Sequence, residues 1–281
     1  MDEQNMNILE RIHASYYQLT ATERKVADFV LAQHSQVQFM SITQLADECG
    51  IGEATISRFC RGLKLKGFNA FKIELARYSA STVKPQEQPT DSLVGRSLEV
   101  GRLANDAIYQ TIELLNPAQI QKAVELFEDA SRVLCFGAGG SMLMAQEFAH
   151  LFSTVTNKFT AIADSHMQMS AAATMSRGDV MVLFSYSGAT NSGIQLLELA
   201  KNRGIQTVLV TRFHKSPAAN LADVVLRCGS NEGPFQFGSV PAKIAQLIVM
   251  DVLFQEFRHR NQDICEDRIH NIASALSGMH I

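Results

Sequence analysis

No apolar run in this chain reaches the roughly 18 residues that a bilayer-spanning helix needs. The polar start MDEQNMN also lacks the basic and apolar parts of a secretion signal. Both features exclude a membrane protein, and the chain is expected to stay in the cytoplasm. Cysteine is scarce: the five residues at 49, 60, 135, 228 and 265 are odd in number and scattered, with no CxxC pair and no histidine at metal-ligand spacing. A disulfide scaffold and a zinc module are thereby excluded, buried thiols are expected, and the sequence calls for no metal and no cofactor. There is no internal repeat and no low-complexity tract. With 46% hydrophobic and 19% charged residues the composition is that of a soluble globular protein. A length of 281 residues favours two domains. The net charge of −3 argues against a protein coated in nucleic acid, so any basic patch is local.

Such a patch is present. In SITQLADECGIGEATISRFCRGLKLKG, residues 41–67, Ile42, Leu45, Ala46 and Cys49 recur at helical spacing, and Ile56, Phe59, Cys60 and Leu63 repeat the pattern. Gly50 between them supplies a left-handed turn without a Cβ penalty. This is the layout of a helix-turn-helix. It leaves Glu53, Thr55, Ser57, Arg58, Arg61 and Lys64 facing away from the core, with Thr43 exposed on the first helix. From Ala54 to Ala80, Arg58, Arg61, Lys64, Lys66, Lys72 and Arg77 stand against the single acid Glu74, a local charge of +5. Duplex DNA rewards such charge because phosphates neutralised by Lys or Arg release counterions. The second helix of this motif lies in the major groove. Thr55, Ser57 and Arg58 are therefore expected at base edges, and Arg61, Lys64, Lys66 and Lys72 at phosphates.

The N-terminal run TERKVADFVL, SITQLADECGIGEATISRFCRGL and KGFNAFKIELA resembles, in order and spacing, the DNA-binding domain of the RpiR family of bacterial transcriptional regulators. The resemblance covers residues 5–80 or so. That family usually has Ser where Gly52 stands and a Gly-aromatic pair where Lys64 and Leu65 stand. The first difference removes a side-chain N-cap, for which Gly is the mildest replacement, and the second bears on which operator is read.

Helical patterning ends near Tyr78. The polar stretch SASTVKPQEQPTDS, with Pro85 and Pro89, reads as a linker. Helical patterning resumes from about Leu93 to Leu115 and again after Pro117. From Arg132 onward, short apolar runs alternate with helical segments: RVLCFG, FTAIA, DVMVLFS, QTVLVT and DVVLRC are the strands. Parallel strands need crossover helices, so the alternation predicts a doubly wound parallel sheet. An apolar helix is expected over about 240–257, then a helical tail with a sparse stripe of Ile264, Ile269, Ile272 and Leu276. The expected fold class is an all-α helix-turn-helix domain plus an α/β doubly wound parallel-sheet sandwich. Its boundaries are 1–80 for the DNA-binding domain, 81–99 for the linker, 100–260 for the sandwich and 261–281 for the tail.

Ligands of open α/β sheets sit beyond the C-terminal ends of the strands. Two loops qualify, Gly137-Ala138-Gly139-Gly140-Ser141 and Ser185-Tyr186-Ser187-Gly188-Ala189-Thr190-Asn191. The second presents hydroxyls at i, i+2 and i+5 just before a helix, an uncharged nest suited to a phosphate monoester without a metal. The same residues also suit a plain N-cap and turn. A dinucleotide fingerprint fails at the first loop, where Met142 occupies the third glycine position; this counts against a nucleotide-dependent oxidoreductase.

Together the loops resemble the sugar isomerase (SIS) domain, a phosphosugar-binding module, over about residues 100–260. That resemblance assigns the phosphate grip to Ser185, Ser187, Gly188 and Thr190, helped by Gly139, Gly140 and Ser141. It also gives His166, Ser239 and Lys243 roles toward the ligand, with Glu232 nearby in sequence. SIS domains occur in isomerases and in regulators. In heptose-phosphate isomerases with a similar GxGGS loop the catalytic Glu falls where His150 or Leu151 stands here, while Glu147 and His150 read as a surface pair. The expected function is thus a non-enzymatic regulator of carbohydrate metabolism with no catalytic residues. Its partners would be double-stranded operator DNA, a sugar phosphate and further copies of itself, as a homodimer or homotetramer through the SIS domain, with no membrane partner. The alternative is a phosphosugar isomerase with an accessory helical assembly domain.

Overall fold

The computed structural model describes residues 6–82, 92–230, 233 and 239–277. The chain forms two compact units, with the break after Arg102. The first contains α1 (Ile8–Ser15), α2 (Ala21–Val37), α3 (Ile42–Cys49), α4 (Glu53–Gly62) and α5 (Phe68–Thr82). Asn7, Thr20 and Ser41 start α1, α2 and α3 by exchanging hydrogen bonds with Glu10, Glu23 and Gln44, so each helix start satisfies its own orphan amides. Ile12, Val30, Leu45, Ile56, Phe59 and Phe71 are fully buried at the centre of this unit. The rings of Phe59 and Phe71 meet edge to face at 5.7 Å. Side chains of this size stabilise by about 1.5–3 kcal/mol each when withdrawn from water. Gly50 ends α3 at φ +60°, as the turn requires.

The second unit carries α7 (Pro117–Asp129), β1 (Arg132–Gly137), α8 (Gly140–Ser153), β2 (Phe159–Ala161), α9 (Ser165–Thr174), β3 (Asp179–Phe184), α10 (Asn191–Arg203), β4 (Gln206–Thr211), β5 (Val224–Arg227), α11 (Val240–Arg260) and α12 (Gln262–Leu276). The strands form a parallel sheet in the order β2-β1-β3-β4-β5. Because the pleat alternates, Val133, Cys135, Val182 and Val210 point to one face, packed with α7, α8 and α11. Leu134, Phe136, Leu183 and Leu209 point to the other, packed with α9 and α10. The result is the three-layer α/β sandwich expected from the alternation. The order reverses between β1 and β3, and such a switch point opens a crevice at the strand ends.

Two expectations need adjustment. Residues 93–99 of the linker span are helical, because α6 (Leu93–Leu114) begins there with Ser92 Oγ accepting from the Gly95 amide at 3.0 Å. Pro85 and Pro89 lie outside the described residues. In the tail helix α12, Cys265 is buried while Ile264, Ile272 and Leu276 are exposed, so only Ile269 of the expected stripe packs against the core.

Candidate functional site

In the first unit, α3, the Gly50 turn and α4 form the expected helix pair. Arg58, Arg61, Lys64 and Lys66 are exposed and Ser57 is half-buried. Arg61 Nε donates to the Ser57 carbonyl at 3.2 Å, which lays the guanidinium along the outer face of α4. Thr55 does not belong to that face. It is buried at 8% exposure, and its hydroxyl accepts from the Arg58 guanidinium at 3.1 Å. Position 55 lies one helical turn before Phe59, so the two stack on the same inward side. The Thr43 hydroxyl donates to Glu53, tying α3 to the first turn of α4. Lys72 is half-buried, donates to the Met40 carbonyl at 3.2 Å and sits 5.7 Å from the Phe68 ring centroid, so it is engaged within its own unit.

Lys64 holds a left-handed conformation at φ +61°, and the amides of Lys64 and Leu65 donate to Arg61 and Cys60 carbonyls. This is a Schellman-type helix end at the position where the resembling family has Gly. Arg11, from α1, donates to the Leu63 carbonyl and so secures the C-terminal end of α4. Nothing in the residue pattern marks Arg11 for this task, because its partner is 52 residues away.

In the second unit the two glycine- and hydroxyl-rich loops meet. Gly137 at the end of β1, with Ala138 and Ser141 after it, lines one cleft with Ser185, Thr190 and Ser192 after β3. The enclosed part of the cleft measures about 20 Å³, close to the space of one water molecule, and the remainder is open to solvent. Thr190 is the N-cap of α10 but makes no side-chain bond to the helix, and Gly139 caps α8 without a side chain. At α10 the first-turn amides and the positive end of the dipole are therefore left to whatever fills the cleft, whereas at α8 the Ser141 and Met142 amides already donate to the Ala138 and Gly139 carbonyls at 3.1 and 3.0 Å.

Glycine is required at two points here. A Cβ on Gly137 would lie 2.6 Å from the Ser141 carbonyl oxygen. Gly188 sits at φ +60°, and a Cβ there would lie 2.1 Å from Ser216 Oγ. The turn is braced from behind: Ala218 N donates to Gly188 O at 2.9 Å, and Thr211 Oγ1 donates to Tyr186 O at 3.1 Å. Tyr186 Oη in turn donates to Ser230 O at 2.7 Å.

Ser187 is exposed, with its hydroxyl accepting from Ala189 N at 3.3 Å. It does not line the cleft, and neither do Gly139 and Gly140. His166 is exposed in the first turn of α9, behind the N-cap Asp164. Ser239 and Lys243 are half-buried at the start of α11 and do not line this cleft. Glu232 lies outside the described residues. Two wall residues carry no sequence motif: Ser192, and Gln168, a buried α9 side chain whose amide reaches the Gly137 carbonyl at 2.9 Å. Among the residues lining the cleft none has a titratable side chain, and Glu147 and His150 are both exposed on α8.

Comparison with known proteins places both units. Residues 6–82 match the helix-turn-helix domain of the rpiR family, and residues 126–255 match the SIS domain. An HTH-type transcriptional regulator of Caldanaerobacter subterraneus is 32% identical over 251 residues, which is 88% of this chain and 89% of the relative. One from Haemophilus influenzae is 30% identical over 265 residues, 92% of each chain. The structure of the Vibrio vulnificus NanR protein complexed with ManNAc-6P matches with a TM-score of 0.89 and 26% identity, over 98% of this chain and 100% of that one. The sugar isomerase domain of an RpiR transcription factor from Sphaerobacter thermophilus matches with a TM-score of 0.58 and 22% identity, over 63% of this chain and 98% of that one, a likeness of fold. The chain belongs to the rpiR family of helix-turn-helix transcriptional regulators, with a SIS domain as its second domain.

Proposed function

We propose that this regulator captures a phosphorylated sugar in the cleft between the ends of β1 and β3, and that capture alters its hold on operator DNA. The observation that carries the reading is the convergence of two separate loops on one cleft, where Ser141, Ser185, Thr190 and Ser192 stand beside the N-termini of α8 and α10. Neutral donors at helix N-termini suit a phosphoryl group without a metal. The likeness to NanR, which is described in complex with ManNAc-6P, supports the same ligand class. Ser187, Gly188, His166, Ser239 and Lys243 are assigned to the ligand's surroundings at the rim or beyond it. Ser57, Arg58, Arg61, Lys64 and Lys66 are assigned to DNA.

The protein acts as a sensor rather than an enzyme. Aldose-ketose isomerisation needs a base within hydrogen-bond reach of the carbon-bound proton, and the cleft wall offers no titratable side chain. Cytoplasmic residence goes with this role. Reading a palindromic operator calls for a symmetric homodimer or homotetramer. Exposed Leu143, Met167 and Leu247 on helices of the SIS domain supply apolar surface for that contact. A thermal-shift screen tests the reading: a phosphosugar that binds the native state raises the unfolding temperature with its concentration, and the unphosphorylated sugar does not. A screen in which no sugar phosphate moves the transition would overturn it. Light scattering reads the assembly, and a monomer at micromolar concentration would refute that part.

A further inference from the structure

Gln168 enters the cleft wall from α9 and is 4% exposed. Its Nε2 donates to the Gly137 carbonyl at 2.9 Å and to the Ile162 carbonyl at 2.8 Å, and lies 3.4 Å from Met142 Sδ. A side-chain amide can usually be turned end for end, but not here. Carbonyl oxygens only accept, so the nitrogen must face them, and both of its hydrogens are committed. Oε1 is then fixed as well, and no donor among the described residues meets it.

Oε1 is not sealed from solvent, so an occupant of the cleft that strips water from it has to supply a donor in its place. Phosphate oxygens of an ionised monoester accept and do not donate. The other polar side chains of the wall, Ser141, Ser185, Thr190 and Ser192, are hydroxyls that can turn to donate. Gln168 is the fixed acceptor among them.

We infer that Gln168 Oε1 accepts a hydrogen bond from a hydroxyl of the sugar, which makes Gln168 a specificity-determining residue and the ligand a phosphate ester with a free hydroxyl, as opposed to a bare or alkyl phosphate. The inference rests on the phosphosugar reading of the cleft. Because the same amide clasps the exits of β1 and β2, a ligand hydroxyl placed on Oε1 is held in register with both strand ends.

The test compares the intact protein with Gln168→Met by calorimetry, using inorganic phosphate, ethyl phosphate and a panel of hexose 6-phosphates. The wild type should prefer its best hexose 6-phosphate to ethyl phosphate by about tenfold or more. Gln168→Met should lose that preference while its affinity for ethyl phosphate, measured above the second phosphate pKa where that ester has no O–H, changes less than about twofold. Monodeoxy analogues of the preferred ligand complete a cycle: removing one particular hydroxyl should weaken the wild type about tenfold and leave the variant unaffected. If Gln168→Met does not fold, Gln168→Lys keeps donors toward the two carbonyls and lacks the acceptor; because its charge strengthens binding of every phosphate, it is read only by its preference between hexose 6-phosphate and ethyl phosphate and by the deoxy series. Equal losses for ethyl phosphate and sugar phosphate would mean that Gln168 only positions the loops, and would overturn the inference. So would a deoxy series that weakens both proteins alike. A wild type that binds neither phosphate nor any sugar phosphate would instead remove the phosphosugar reading itself.

Discussion

Gly188 is held by two independent constraints, a backbone in the left-handed region and a Ser216 hydroxyl filling the space a side chain would need. Gly188→Ala should therefore destabilise the SIS domain by about 2 kcal/mol or more. It should also abolish the thermal shift by phosphosugars, both read by calorimetry. Lys64 is the opposite case, a side chain where the backbone favours glycine. Lys64→Gly should raise stability by about 1 kcal/mol. The same change removes a cation from the DNA face, so binding to duplex DNA should weaken at every sequence with a shallower salt dependence. A urea midpoint and a salt titration check the two halves separately.

Asp179 is 3% exposed and bridged by Arg132 through contacts of 3.1 and 2.6 Å. Those bonds, with the Ser176 amide, hold its carboxyl below the usual carboxylate range against the opposing effect of burial. A depressed folded-state pKa contributes stability that is present above the unfolded carboxylate value, near 4, and is lost as pH falls through the lower folded value. Asp179→Asn should cost about 1–3 kcal/mol at pH 7. Urea unfolding should show that gap closing as the pH is lowered below about 4.

At the scale of elements, the site is a product of sheet order. The β1 and β3 loops lie about 50 residues apart in the chain, and pairing of the two strands brings them to one cleft. Ser185→Ala should weaken binding of a phosphosugar about tenfold and leave DNA affinity without ligand unchanged, since the hydroxyl lines the cleft and lies in the other unit. Arg58→Ala should do the reverse, with fluorescence anisotropy on one duplex separating the two.

Which segments become strands was legible, because apolar runs bounded by turn residues have one reading when helices lie between them. The helix pair around Gly50 was legible for the same reason. Strand order was not, as it depends on pairing that no local pattern encodes. Thr55 was misplaced because the buried stripe of α4 is one residue wider than the Ile56, Phe59, Cys60 and Leu63 pattern implies. Gln168 and Arg11 escaped notice because their partners are backbone carbonyls brought near only by tertiary structure. The start of α6 near Leu93 was legible, and only the linker's end, set at 99, ran into the helix.

For the whole molecule the two domains need only share an equilibrium. A ligand that prefers one arrangement of the regulator shifts its DNA-binding population by its differential affinity, typically about 1–3 kcal/mol, and DNA must shift ligand affinity by the same factor. The direct measurement is operator affinity in the presence and absence of ligand. The duplex would be one the protein selects from a random pool, titrated with the hexose 6-phosphate that gives the largest thermal shift and, in parallel, with its unphosphorylated sugar. The phosphosugar should change the dissociation constant at least about fivefold while the plain sugar leaves it unchanged. An operator affinity identical with and without a phosphosugar bound at saturation would contradict the account.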